Sequence, residues 1–280
     1  MEIKSNSLEF QALETNNVIK HYENYDEDSR LIKDKAHEIE FRTTTHVLDN
    51  LISSKANILD VGAGTGRYSF YYASKGNSVT ALDIVPKHVN LMREKFKENK
   101  EMKINIDIGN ATDLSRYSDE SFDAVFCFGP LYHLSTQQER NKCVKECLRV
   151  LKRGGLLSLA YINKLFIAAM FVNQNKDFYL DEEFIIKLVE HGTVDKDGCD
   201  SFLKNSYFFL PSEMETFMNR FNIDKVEHVA ADGMGMFMND MINGFTDKEF
   251  EVWMKYHLKT CSEPSTLGYS NHGLFVCKKR

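Results

Sequence analysis

From residue 57 onward the chain alternates between two hydrophobic rhythms. Residues 57–61 (NILDV) form a brief apolar run stopped by glycine. Residues 78–84 (SVTALDI) and 103–108 (KINIDI) alternate apolar and polar side chains. Residues 121–128 (SFDAVFCF) and 156–162 (LLSLAYI) are mostly apolar. Period two marks a strand, and a short continuous apolar run marks a strand buried on both faces. Between these runs the spacing turns helical, over 67–75, 86–99 and 135–152. Strands joined by long helical crossovers run parallel, with the helices on the faces of their sheet. The helix over 135–152 is the best punctuated. Ser135 and Gln138 predict a capping box, Val144, Leu148 and Leu151 an apolar stripe, and Gly154–Gly155 the left-handed residue past its end.

Either side of this core the pattern changes. Residues 1–54 are polar and helix-prone, and Ile39, Val47, Leu48, Leu51 and Ile52 fall on one helical face. This predicts a helical cap in front of a core at 55–162. The remainder, 163–280, reads as helices interrupted by two more strands, at 222–231 and 273–279. No internal repeat is evident.

Composition narrows the class. The 280 residues are 42% hydrophobic and 27% charged, which suits a globular protein. A net charge of −6 is a poor match to a polyanion, so no nucleic-acid partner is expected. The apolar run 165–172 is eight residues, against the roughly 20 a membrane helix needs. No positively charged stretch leads into an apolar one at the N-terminus, so a cytoplasmic location is expected. The six cysteines form no C-x-x-C pair, so no metal is expected, and Cys143 and Cys147, one turn apart, read as core.

The candidate chemistry sits at "ILDVGAGTGRYS". Gly62, Gly64 and Gly66 follow a strand directly and precede a helix. Such a turn lets a ligand approach the backbone, and the helix offers unpaired N–H groups. A dinucleotide site has the spacing G-x-G-x-x-G, but here the last of those positions is Arg67. Asp60, two residues before the first glycine, would repel a diphosphate and suit a cationic amino group. Asp83 ends the second strand 21 residues after Gly62, where a carboxylate can hold both hydroxyls of a ribose.

In these residues, together with "ALDIVPKHV", "GNATDL", "SFDAVFCFGPLYHL" and "LKRGGLLSLAY", the chain resembles the class I S-adenosylmethionine-dependent methyltransferases. The resemblance covers about residues 55–162. It implies an α/β, Rossmann-like, seven-stranded, mostly parallel sheet with helices on both faces, an N-terminal helical cap and inserted lid segments, the last strand lying antiparallel. It also implies S-adenosylmethionine at the glycine turn, with Asp83 and Ile84 at the ribose and Phe128 and Gly129 against adenine or the methionine part. Asn110–Ala111 departs from the family's Asp-Ala. An Asn carbonyl can still accept the adenine amino group, and the Ala111 N–H can still donate.

Methyl transfer from a sulfonium needs alignment first, and a base only for a protonated acceptor. His133, with Tyr132 beside it, is the candidate base. Tyr25 and Tyr22 read as a lid over the cofactor, and Arg30 and Arg42 as partners for the methionine carboxylate. The acceptor pocket is expected from segments 163–210 and 232–270, rich in Phe, Tyr and Met, with "DGMGMFMND" as an adaptable loop. A small-molecule acceptor fits the acidic balance. A tRNA or protein substrate, a nicotinamide-dependent oxidoreductase and a non-catalytic binding protein are the alternatives. Monomer and homodimer are both open.

Overall fold

The computed structural model describes residues 15–174, 181–194 and 206–280. Helix α1 covers 15–24. It is followed by α2 (Lys35–Asp49), β1 (Asn57–Val61), α3 (Arg67–Ser74), β2 (Ser78–Asp83), α4 (Pro86–Glu98), β3 (Ile104–Ile108) and β4 (Phe122–Cys127). Next come α5 (Pro130–His133), α6 (Gln137–Val150), β5 (Leu151–Ile162), α7 (Lys164–Gln174), α8 (Glu182–His191) and α9 (Pro211–Met218). The chain closes with β6 (Ile223–Ala230), α10 (Asn239–Asn243), α11 (Asp247–Thr260), α12 (Pro264–Leu267) and β7 (His272–Lys279). The strands make one seven-stranded sheet in the order β3-β2-β1-β4-β5-β7-β6. All neighbours are parallel except β7, which runs antiparallel to both β5 and β6.

The period-two pattern explains the two-faced core. Leu59 and Val61 project to one face with Val125, Cys127 and Leu157, where α6 and α9 cover them. Ile58 projects to the other with Val79, Ala124 and Phe126, under Leu48 of α2 and Tyr68 and Tyr72 of α3. Cys127, Cys143 and Cys147 meet in the first of these layers, each fully buried.

Two local expectations shift. The N-cap of α6 is Thr136, not Ser135: its hydroxyl accepts from the Glu139 N–H at 3.2 Å and donates to Glu139 Oε2 at 2.7 Å. Thr136 has the extended backbone a cap needs, so the box starts one residue late. The far end of α6 also differs. Leu151 is already in β5, opposite Phe122, and Leu156 sits opposite Ala124. Residues 152–155 therefore bulge out of the ladder, and Gly154, at φ +73°, serves that bulge rather than a helix cap.

Among the described residues no helix is long and apolar enough to cross a membrane.

Candidate active site

The strand order reverses at β1, which has β2 on one side and β4 on the other. Loops leaving β1 and β4 must diverge there, so a crevice opens at the carboxyl ends of the strands. It encloses about 1230 Å³, its open mouth included. Of the cofactor and catalytic candidates named from the sequence, Tyr22, Arg30, Asp60, Gly62, Gly64, Asp83, Ile84, Asn110, Ala111, Phe128, Gly129, Tyr132 and His133 line it, whereas Tyr25, Arg42 and Gly66 do not; Gly66 lines a separate surface pocket.

The glycine turn is tight for stated reasons. Gly62, Gly64 and Gly66 all have positive φ, at +72°, +56° and +86°. A Cβ on Gly62 would lie 2.6 Å from Pro130 Cδ, so the turn after β1 and the start of α5 can touch only through a bare backbone. Gly62 and Ala63 both donate to the Leu82 carbonyl, at 2.8 and 3.0 Å, which ties the turn to the end of β2. Asp83 closes the link by accepting from the Gly64 N–H at 2.7 Å and the Val85 N–H at 2.8 Å.

Asp60 is 2% exposed and accepts the Ser69 hydroxyl at 2.6 Å. Burial pushes its carboxyl up to about 7, and neighbouring Asp83 adds to the rise. A carboxyl raised this far is one that a cation entering the cavity would ionise.

Asn110 departs from expectation. Its Oδ1 accepts from both the Thr112 N–H (2.9 Å) and the Thr112 hydroxyl (3.0 Å), so its carbonyl is committed within its own loop. The amide NH₂ remains for a ligand.

Helix α1 covers the cavity. Tyr22 hydrogen-bonds His133 Nε2 at 2.9 Å. Lys87 of α4 holds the helix end by donating to the carbonyls of Tyr22, Glu23 and Tyr25, at 3.2, 2.9 and 3.2 Å. Of the two tyrosines expected in the lid, Tyr22 lines this cavity. Tyr25 instead stacks on His21 and lines a second chamber. For His133, burial pushes the imidazole down to about 3, with His21 and His88 adding to the fall.

The second chamber adjoins the first and shares Tyr22, Glu27, Arg30 and Tyr132 with it. One wall is apolar: Ile162, Phe166, Ile167, Met170, Met236 and Phe237. Met236 and Phe237 come from the "DGMGMFMND" loop, as expected of it. Phe208 is buried in the core, Tyr207 stacks under Arg140, and Phe178 and Tyr179 lie outside the described residues. The polar part of the lining was not anticipated. It carries Glu40 of α2, Asp232 after β6 and His272 at the start of β7.

Arg30 pairs with Glu40 through two contacts, Nη1–Oε2 at 2.7 Å and Nη2–Oε1 at 3.4 Å, and its Nε donates to Glu27 at 3.0 Å. It lines both cavities but is engaged by carboxylates. Arg42 forms a fork with Glu251 at 2.6 and 2.9 Å, away from either cavity, because α11 packs on that side of α2.

Comparisons with known proteins agree with this architecture. Residues 59–159 match the family model described as "Methyltransferase domain". A ubiquinone biosynthesis O-methyltransferase of Xanthomonas oryzae pv. oryzae is 31% identical over 138 residues, covering 49% of this chain and 54% of the relative. The chain thus spans about half the length of the curated relatives it matches. A SAM-dependent methyltransferase of Methanosarcina mazei shares the fold at TM-score 0.58 and 20% identity, over 83% of this chain and 96% of that one. A (4+2)-cyclase shares it at TM-score 0.54 and 16% identity, over 86% and 81%.

Proposed function

We propose, from the match of residues 59–159 to the methyltransferase-domain family model, that this chain is an S-adenosylmethionine-dependent methyltransferase acting on a small-molecule acceptor. The observation that carries this reading is Asp60. A fully enclosed carboxyl pushed up to about 7 beside a glycine turn favours a cationic ligand and opposes a diphosphate. S-Adenosylmethionine brings an ammonium and a sulfonium; a nicotinamide dinucleotide brings two phosphates.

The other residues fit the same ligand. Asp83 is fixed by two backbone donors and retains lone pairs for ribose hydroxyls. With the Asn110 carbonyl committed to Thr112, its amide can donate to a ring nitrogen of adenine, beside the Ala111 N–H. Phe128 and Gly129 supply a flat wall for the adenine or the methionine part. The cofactor supplies an activated methyl group. The protein aligns the acceptor with it and keeps water away, and orientation of this kind removes several kcal/mol of barrier. Helix α1, latched by Lys87 and Tyr22, closes the site. The adjoining chamber, with its apolar wall, takes the acceptor. Its apolar lining and the chain's acidic balance favour a small molecule over a tRNA or a protein. The relatives point the same way, since they are O-methyltransferases of ubiquinone biosynthesis and ubiquinone is a small molecule.

Parallel titrations with S-adenosylmethionine, S-adenosylhomocysteine and NADH test the reading. Micromolar binding of both adenosyl compounds and none of NADH is expected; the reverse pattern would overturn it. Asp83→Ala should weaken adenosyl binding by about 1–3 kcal/mol, the cost of losing a charged hydrogen-bond partner.

A further inference from the structure

We propose that His272 is the general base of the acceptor chamber and that the acceptor is a hydroxylated aromatic. The inference rests on the methyl-transfer reading above and names the substrate class of that site.

His272 is held at its Nδ1 side. Nδ1 lies 3.0 Å from Asp232 Oδ2 and 3.3 Å from Glu40 Oε2. Asp232 is itself fixed: it accepts the Ser270 hydroxyl at 2.6 Å and the His272 backbone N–H at 3.1 Å, and is 2% exposed. Two carboxylates at Nδ1 place the proton there, so in the neutral ring the lone pair is on Nε2. Nε2 has no hydrogen-bond partner among the described residues, and His272 lines the chamber. The imidazole therefore presents a basic nitrogen to whatever fills it.

The remaining groups disfavour other uses of this wall. Both oxygens of Glu40 are taken by Arg30, and both oxygens of Asp232 by Ser270 and His272. Every oxygen of the two carboxylates already has a donor, so an ammonium acceptor or a cation at this cluster would compete with Arg30, Ser270 and His272 for it. The apolar lining favours an aromatic body: Phe166 and Phe237 lie with ring centroids 4.7 Å apart, and Met170 and Met236 line the same chamber. A thiol needs no base, and an aliphatic hydroxyl is too weak an acid for imidazole. A phenolic hydroxyl is intermediate.

The step balances. An oxygen lone pair forms the new C–O bond while the methyl C–S bond breaks, its electron pair remaining on sulfur as a neutral thioether. The phenolic proton passes to His272 Nε2 and then to solvent. The resulting imidazolium is stabilised by Asp232 and Glu40. The other titratable groups facing it are His37 on α2, Glu27 and Arg30 behind Glu40, Tyr132 on α5, and His21, Tyr22 and Tyr25 on α1 and the turn after it.

His272→Asn keeps an N–H donor where Nδ1 sits and removes Nε2. The test compares wild type and this variant on 4-methylphenol, 4-nitrophenol and 4-methylaniline at about pH 8, where the first phenol is protonated and the second largely ionised. The readout is S-adenosylhomocysteine released, alongside direct titration of S-adenosylmethionine. The expected result is that wild type methylates both phenols. The variant should lose about 100-fold or more on 4-methylphenol but only a few-fold on 4-nitrophenol, with cofactor affinity unchanged. An equal loss on both phenols, no loss on either, or turnover of the aniline alone would overturn the proposal, as would a wild type that methylates neither phenol. If wild type fails to bind S-adenosylmethionine at all, the fault lies in the reading beneath.

Discussion

At the scale of single residues, the site depends on what two positions cannot be. Gly62 has a left-handed backbone and no room for a Cβ beside Pro130. Gly76, at φ +90°, has the same kind of backbone but nothing within 4 Å of its missing side chain. Gly62→Ala should therefore cost about 2–4 kcal/mol, from strain plus overpacking, and Gly76→Ala about 1 kcal/mol from strain alone. Urea melts of the two variants would separate the clash from the dihedral. Asp60 gives a second prediction. Its folded pKa, near 7, lies above the ordinary value of about 4. Between those limits the folded state holds a proton that the unfolded chain has released, so Asp60 makes stability fall as pH rises from about 4 to about 7, after which the loss is complete. Asp60→Asn should stabilise the ligand-free protein by about 2–4 kcal/mol at pH 8 and leave it unchanged near pH 4. Melts at both pH values check this.

These residues were legible because their spacing is local: three glycines after a strand, one acid before them and one at the end of the next strand. Glu40, Asp232 and His272 were not. They come from α2, the turn after β6 and the first residue of β7, and only the antiparallel insertion of β7 brings them together. Lys164 was equally hidden. It is fully buried, with its ammonium on the Val189 carbonyl and Glu213, and nothing in a sequence distinguishes that lysine from an exposed one.

At the scale of elements, hydrophobic period located all seven strands within a few residues, because each must bury one or both faces. Their ends were less legible, since caps and bulges depend on partners. Thr136 and Ser135 are both competent caps by type, and backbone geometry selects Thr136. Thr136→Ala should cost about 1 kcal/mol in a denaturant melt. Helix α1 makes a different kind of prediction. Its C-terminal carbonyls are held by Lys87, an exposed side chain on α4. Lys87→Met should release this latch, speeding S-adenosylmethionine dissociation several-fold in stopped-flow measurements while changing stability by less than about 0.5 kcal/mol. An unchanged dissociation rate would mean that Tyr22 and the apolar face of the helix close the site without it.

At the scale of the whole molecule, one topological fact positions everything: the strand order reverses at β1. That opens the crevice proposed for the nucleoside, and the strands added beyond β5 carry segments that wall the chamber proposed for the acceptor. A (4+2)-cyclase shares this fold, so the sheet alone does not specify transfer; the proposed reading rests on the charges within the crevice. The most direct measurement is calorimetric titration of S-adenosylmethionine at about pH 6 in buffers of different ionisation enthalpy, on wild type and Asp60→Asn. The account predicts that binding to wild type expels most of a proton, that the variant binds more weakly and expels none, and that NADH gives no heat. Proton-neutral binding to wild type, or NADH in place of the adenosyl compound, would contradict it.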